Sequence, residues 1–229
     1  MGLLETASAS LIAGERRLDT IARNITNVST PGYKREISFS EIAEGAGDTA
    51  RAQVKSVVDT AQGALVDTRN PLDLAINGRA YLLVRDADTF ALSRGGQFSI
   101  GVGGTLVDAL GRAVQLAGGG DLVLSGSRFE VLKDGTVLEG DVPVGVIGMF
   151  EPGAANPAIA LGEAALMALS EAEGSELLQG MSEKSNVVMS DEMVRMMSNQ
   201  RQTEGAAQIV RAYDQLMSQA ISTFSRSGS

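Results

Sequence analysis

Leu4, Leu11, Leu18 and Ile25 recur at intervals of seven residues, and Ala7, Gly14, Ile21 and Val28 fill the second position of the same repeat. An apolar heptad held over nearly four repeats fits a helix that buries one narrow stripe against another helix. Glu15, Arg16, Asp19 and Arg23 fall off the stripe, and the small residues Ala7 and Gly14 leave room for a close neighbour. The spacing predicts a helix over residues 3–28. It must stop there, because Pro31 disfavours the α conformation at Thr30 and Pro31-Gly32 is a turn dipeptide.

The other end of the chain carries a natural partner. A second long helix is expected from about Val187, with Ser190 as its N-cap and Asp191 and Glu192 in the first turn, where they favour the helix dipole. Met193, Met196, Met197, Ile209, Tyr213, Leu216 and Ile221 follow in an apolar stripe wider than a two-stranded seam. A stripe of that width suits burial against more than one neighbour. The expected contact sets Leu4, Leu11, Leu18 and Ile25 against Ile209, Tyr213, Leu216 and Ile221.

Between the helices, from about residue 63 to 150, the apolar period falls to two. Runs such as AYLLVRD, TFALSR, QFSI, RFEVL and VPVGVIGMF are separated by Gly-rich turns, and Asp134-Gly135 is a strong hairpin signal. QVKSVVDT at 53–60 reads as a further strand, EGAGDTARAQ as a loop, and residues 163–181 as weakly helical or irregular. The expected fold class is α+β: long N- and C-terminal helices paired as a coiled coil, with a central, mostly antiparallel β domain. The expected division is a terminal helical domain from 1–35 and 184–229, a connecting region from 36–70 and 163–183, and a central β domain over 71–162.

Composition narrows the function. The chain contains no Cys and no His, which removes disulfides, the common zinc and copper ligand sets, and imidazole-based catalysis. Asp73, Asp86 and Asp88 are candidates for carboxylate chemistry, but their positions suit ordinary strand-end and turn residues better. GVGGT at 101–105 lacks the Lys of a phosphate loop and reads as a turn. No catalytic, cofactor or metal site is expected. Net charge is -9 and sits in the middle: residues 36–183 hold nine basic and twenty-one acidic residues, while both ends are mildly basic. With no basic stripe, nucleic acid is not an expected partner. No segment approaches the roughly 20 apolar residues of a membrane span. The N-terminal apolar stretch carries its charges after the apolar part, the wrong order for a secretory signal.

Three blocks carry a resemblance. ARNITNVSTPGYK at 22–34 follows the heptad helix, with Asn24 and Asn27 able to bond main-chain groups as the helix ends, Pro31 and Gly32 making the turn, and Tyr33 packing the emerging chain. NPLDLAING at 70–78 opens the β region, followed by FALSRGGQF at 90–98. SNVVMSDEMV at 185–194 and NQRQTE at 199–204 lie at the start of the second helix, Thr203 standing where an aromatic residue is usual. In this order the blocks resemble the flagellar rod, hook and hook-associated proteins. The resemblance implies a structural subunit, not an enzyme, whose paired terminal helices line a hollow tube with the β domain further out. It implies an assembly interface at Leu4, Leu11, Leu18, Ile25, Asn24, Asn27, Pro31, Gly32, Tyr33, Met193, Ile209, Tyr213, Leu216 and Ile221. It also implies other copies of the chain and other rod subunits as partners, delivery by the flagellar type III export apparatus without a cleaved signal, and a place in the periplasmic rod. Within that family the short distance from Lys34 to Asn70 favours a proximal-rod subunit over a distal-rod one. Outside it, the competing expectation is a coiled-coil β-domain adaptor.

Overall fold

The structure, a computed structural model, describes residues 3–42, 52–87, 89–126, 128–151, 166, 169–172 and 174–227. The chain divides into two compact units, Met1–Thr26 with Glu36–Val57 and Val188–Ser229, and Asn27–Arg35 with Val58–Val187. Most of the expected EGAGDTARAQ loop, and Asp88, lie outside the described residues.

The first unit is built on two helices. α1 spans Leu3–Thr26, ending within two residues of the expected stop. α2 spans Met189–Ser227. It begins earlier than the cap signal suggested: the Val188 carbonyl accepts from the Asp191 and Glu192 amides, both at 3.1 Å, so Val188 takes the capping position. Ser190 lies inside the first turn, with its hydroxyl 3.4 Å from Asp191 Oδ1. Asp191 and Glu192 keep their place at the positive end of the helix dipole. β1 (Glu36–Ile42) pairs with β2 (Ala52–Val58). The β1 strand was not expected, yet Ile37-Ser38-Phe39-Ser40 does alternate at period two.

The second unit is the β domain. Its strands are β3 (Leu65–Asp67), β4 (Asp73–Asn77), β5 (Tyr81–Asp86), β6 (Thr89–Ser93), β7 (Gly95–Ile100), β8 (Leu106–Asp108), β9 (Ala113–Val114), β10 (Glu130–Val131), β11 (Thr136–Glu139), β12 (Val142–Val146), β13 (Met149–Glu151), β14 (Ser170–Glu171), β15 (Glu176–Gln179) and β16 (Met181–Glu183). The largest sheet runs β14-β13-β5-β9-β8-β7-β4-β15, with β6 beside β5. β10-β11-β12 and β16-β3 form smaller sheets. The pairings within this unit are antiparallel, as the short alternating runs led one to expect. Asp134-Gly135 makes the expected hairpin between β10 and β11, with Gly135 at φ 89°. Of the region 163–181, expected to be irregular or weakly helical, Leu166 is helical, but residues 170–171, 176–179 and 181 supply β14, β15 and the start of β16. ELLQ is too short to show a period by itself, and β15 is fixed by pairing Leu177 with Ile76 and Leu178 with Ala75 on β4.

β5 organises the core because both its faces are covered. Leu82 and Val84 join Leu74, Ile76, Leu106, Val114, Val137 and Ile147 in the main cluster. Tyr81 and Leu83 pack on the other side with Leu92, Phe90 and Phe150. A strand buried on both faces reads as an unbroken apolar run, which is what YLLV is.

Candidate assembly interface

In the first unit, α1 and α2 pack antiparallel. Asn24 meets Glu192 near one end, while Gly14 meets Asn199 and Thr203 further along. The α1 surface that is covered is the small half of the repeat: Ala7, Gly14 and Ile21 are buried, with Ala13, Thr20 and Asn24 beside them. Leu11, Leu18 and Ile25 are half-buried at the flank, and the side chain of Leu4 lies outside the described residues. The covered α2 stripe is Glu192, Asn199 and Ala206, seven residues apart. Glycine at 14 permits the close approach, since an added Cβ would lie 2.5 Å from Thr203 Oγ1.

The apolar stripe of α2 is not turned toward α1. Met193 is 48% exposed, Ile209 47%, Tyr213 39% and Leu216 65%. The side chain of Ile221 lies outside the described residues. The structure thus brings Asn24 into the helix contact and leaves Met193, Ile209, Tyr213 and Leu216 facing solvent. The expected second position of the repeat, Ala7, Gly14 and Ile21, is the covered one, while periodicity, which weighs a residue by hydrophobicity, missed the polar members of the seam, Asn199 and Glu192. α2 has 39 residues and α1 has 24, so α2 is the longer by about 22 Å at 1.5 Å per residue.

Asn24 also fixes α1 to β1. Its Oδ1 accepts from the Glu36 amide at 2.9 Å, and its Nδ2 donates to the Glu36 carbonyl at 2.8 Å. The Glu36 side chain pairs with Arg23 at 2.8 Å, near the solvent.

In the second unit, the turn after the first helix is built as the sequence required. The Asn27 carbonyl accepts from the Thr30 amide at 3.0 Å, and the Thr30 hydroxyl reaches Asn27 Oδ1 at 3.1 Å. Pro31 is exposed, and Gly32 takes φ 69°, a region that favours glycine. Gly32 donates to the Glu183 carbonyl at 2.7 Å, and Tyr33, half-buried, accepts from the Asn186 amide through its carbonyl. Asn186 completes the zipper: its Oδ1 accepts from the Arg35 amide at 2.7 Å, and its Nδ2 donates to the carbonyls of Asp59 and Ala61.

Beneath this zipper lies a buried ionic cluster that no sequence pattern announced. The Glu183 carboxylate is 1% exposed and holds Lys34 Nζ at 2.6 Å and Arg94 at 2.8 Å. It also accepts from the Gly63 amide at 2.8 Å. Arg94 donates further to the carbonyls of Ile76, Gly78 and Ala80, and stands 5.3 Å over the Tyr81 ring. Lys34 has a second acceptor in the Ala61 carbonyl at 2.7 Å. Burial pulls the Lys34 amine below its ordinary pKa, a shift that Glu183 opposes, and burial raises the Tyr81 phenol. The charges of Lys34, Arg94 and Glu183 are matched to one another, while the buried Tyr81 hydroxyl has no hydrogen-bond partner among the described residues.

Of the candidate carboxylates, Asp73 and Asp86 lie among the described residues. Asp73 is buried and accepts from Asn70 Nδ2 at 2.7 Å, while Asp86 is an exposed strand end. Val102–Gly104 is a tight turn with Gly103 at φ 75°. An open hollow of about 420 Å³ beside Val28, Ser29 and Pro31 is walled by Val66, Thr68, Gln97 and Ser182–Ser185. Among the described residues there is no cluster of three metal-ligating side chains, and no helix is long and apolar enough to cross a membrane.

Comparison with known proteins agrees with the sequence blocks. Residues 4–34 match the family described as Flagella basal body rod protein, and residues 178–223 match Flagellar basal body rod FlgEFG protein C-terminal. The chain is 30% identical to the flagellar basal-body rod protein FlgF of Mesorhizobium japonicum, over 96% of each chain. It is 31% identical to FlgF of Caulobacter vibrioides, over 85% of this chain and 86% of that one. Flagellar basal-body rod protein FlgG of Caulobacter vibrioides is 27% identical over 95% and 97%. The chain belongs to the flagellar basal-body rod protein family, in its FlgF branch.

Proposed function

We propose that this chain is a structural subunit of the proximal flagellar rod, which assembles through its terminal helices into a hollow tube that transmits torque. The observation that carries the assembly reading is the solvent-facing stripe on α2. Met193, Met197, Ile209 and Leu216 are each between 47% and 65% exposed, on a helix whose other side is already covered by α1. An apolar face of that length calls for protein partners. Those partners are other copies of the chain and other rod subunits, in contacts that repeat along a helical lattice and do not close into a dimer. The α1–α2 pair is then the first two strands of a larger coiled-coil wall. Leu4, Leu11, Leu18, Ile25, Tyr213 and Ile221 add to that wall, and Asn24, Asn27, Pro31, Gly32 and Tyr33 set the turn that ends α1. The role is mechanical, so stiffness from packed helices and a pinned β domain takes the place of catalytic groups. Delivery by the flagellar export apparatus without a cleaved signal, and a periplasmic position, complete the reading.

The distal-rod alternative is the weaker one, given 27% identity to FlgG against 30 and 31% to the FlgF relatives. Deleting the chain and imaging purified basal bodies tests both. Rods that stop at their proximal segment are expected. Rods that stop further out would assign the chain to the distal segment, and intact rotating flagella would overturn the rod reading altogether.

A further inference from the structure

One face of the two-stranded β3–β16 ribbon is left open. Val66 and Ser182 are cross-strand partners. Thr68 and Lys184 each lie two residues further along their strand, so the four side chains share a face. All four line the hollow of about 420 Å³, and Val28 and Pro31, from the turn that follows α1, line it too. These residues all belong to the β unit. Two polar groups of the hollow lack partners. Ser182 is 9% exposed, yet its hydroxyl makes no hydrogen bond among the described residues. The exposed Lys184 ammonium makes no ion pair among them. A hydroxyl buried that far is ordinarily paired. A lone cation beside apolar walls fits an occupant that brings both apolar side chains and a carboxylate.

We propose that this hollow receives the β11–β12 turn of a second copy of the chain, an inference that rests on the rod reading above. The turn stands off the β unit. Gly140 takes φ 64° and, among the described residues, has no atom within 4 Å of the place a Cβ would occupy. Asp141, Val142 and Pro143 follow it and are exposed, Val142 at 65%. An apolar pair beside a carboxylate answers the hollow on both counts. Val142 and Pro143 meet Val28, Pro31 and Val66, and Asp141 meets Lys184. The Ser182 hydroxyl then finds an acceptor in a carbonyl of the incoming turn. Charge favours a copy of this chain as the source: residues 36–183 hold nine basic and twenty-one acidic residues, so a neighbouring β unit offers an acidic surface to an unpaired cation. The turn at GVGGT, where Val102 is fully exposed, is another apolar tip, but it has no charge to set against Lys184. Hollow and turn are different patches of one subunit. The contact is therefore heterologous, and it repeats from copy to copy without closing into a dimer.

Because the chain has no cysteine, the contact can be mapped by thiol cross-linking in purified basal bodies. T68C and V142C are placed together in the full chain and treated with a short bismaleimide. A ladder of multimers of this chain is expected, with no product from T68C alone, from V142C alone or from T68C with V102C. Adding K184E is expected to lower the ladder by about fivefold or more, and adding D141K to K184E to restore it. Thr68, Asp141, Val142 and Lys184 are exposed, so these replacements leave the fold of the free chain unchanged. Swimming supplies a second readout that needs no purified rods: each charge reversal alone is expected to shrink the swim ring, and the two together to recover it. Basal bodies that contain the chain and give no T68C/V142C product overturn the proposal and leave the rod assignment intact. A T68C/V102C product in its place, or charge reversals that fail to rescue each other, overturns it as well. Basal bodies that lack the chain overturn both readings.

Discussion

Lys34 and Glu183, 149 residues apart in sequence, meet at 2.6 Å in the β unit with 6% and 1% of their side chains exposed. Arg94 shares the same carboxylate at 2.8 Å. The three groups differ in how replaceable they are. Glu183→Gln leaves two buried cations without an anion, and a loss of about 3–5 kcal/mol in unfolding free energy is expected. Lys34→Met leaves Glu183 paired with Arg94 and the Gly63 amide, and relieves the desolvation that pulls the Lys34 pKa down, so only about 1–2 kcal/mol should be lost. Urea denaturation of the two variants checks the order. Equal losses would mean that the cluster acts as a unit.

Gly14 and Thr203 set the spacing of the helix pair. Gly14→Ala should gain about 1 kcal/mol of helix propensity, yet its Cβ would lie 2.5 Å from Thr203 Oγ1. Thr203 cannot turn away without releasing the Asn199 carbonyl, which its hydroxyl holds at 2.8 Å. The expected net effect is a destabilised pair, by about 1–3 kcal/mol. Adding Thr203→Ala removes the obstacle and should recover the loss. Thermal melts of the single and double variants followed at the helix band would show the rescue, and a stable G14A on its own would contradict the close approach.

Leu216 separates folding from assembly. At 65% exposure its replacement by Asp should change the unfolding free energy of the free chain by no more than about 0.5 kcal/mol. The same variant is expected to abolish motility, because an assembled wall would bury the new charge. Leu18→Asp, at a half-buried seam flank, should affect both readouts. Swimming assays beside melts of purified chains measure the two effects.

Asp121 provides a pH signature for the β unit. Arg85 grips it through two hydrogen bonds, at 3.0 and 2.5 Å, and Gln115 Nε2 adds a third at 2.6 Å. The Arg85 bond, then that of Gln115, holds the carboxyl below the ordinary carboxylate pKa. A folded pKa below the unfolded one means that the unfolded chain binds more protons in between. The group's stabilisation is therefore fully present above the ordinary carboxylate range and is lost as pH falls through the lowered value. Asp121→Asn should flatten the acid limb of the stability profile in that window. Carbon-detected NMR titration of the Asp121 carboxyl should place its midpoint below the exposed carboxylates, and a midpoint among them would refute the clamp.

The sequence by itself determined the parts that follow from local rules. The heptad placed α1, the alternation of short apolar runs placed the β unit, and Pro31-Gly32 and Asp134-Gly135 placed their turns, because periodicity and backbone dihedrals act over a few residues. AYLLVRD was legible as a strand, but that both its faces are covered emerged only with the packing of the sheet. Tertiary structure decided the rest. β14 and β15 exist because β13 and β4 offer edges for them, not because their own residues insist. Glu183 is an ordinary surface residue by type, and only the meeting of β16 with the Lys34 and Arg94 segments makes it the anion of a buried cluster. The same holds for the helix seam. On α1 the repeat already marked Gly14 as room for a neighbour, but on α2 hydrophobicity pointed to Leu216 and Ile209, whereas the contact formed at Asn199 and Glu192, where hydrogen-bonding groups counted for more than apolar area. Burial measured along one chain cannot tell a face that meets its own partner from a face kept for another copy; that distinction appears only when the two helices are placed side by side.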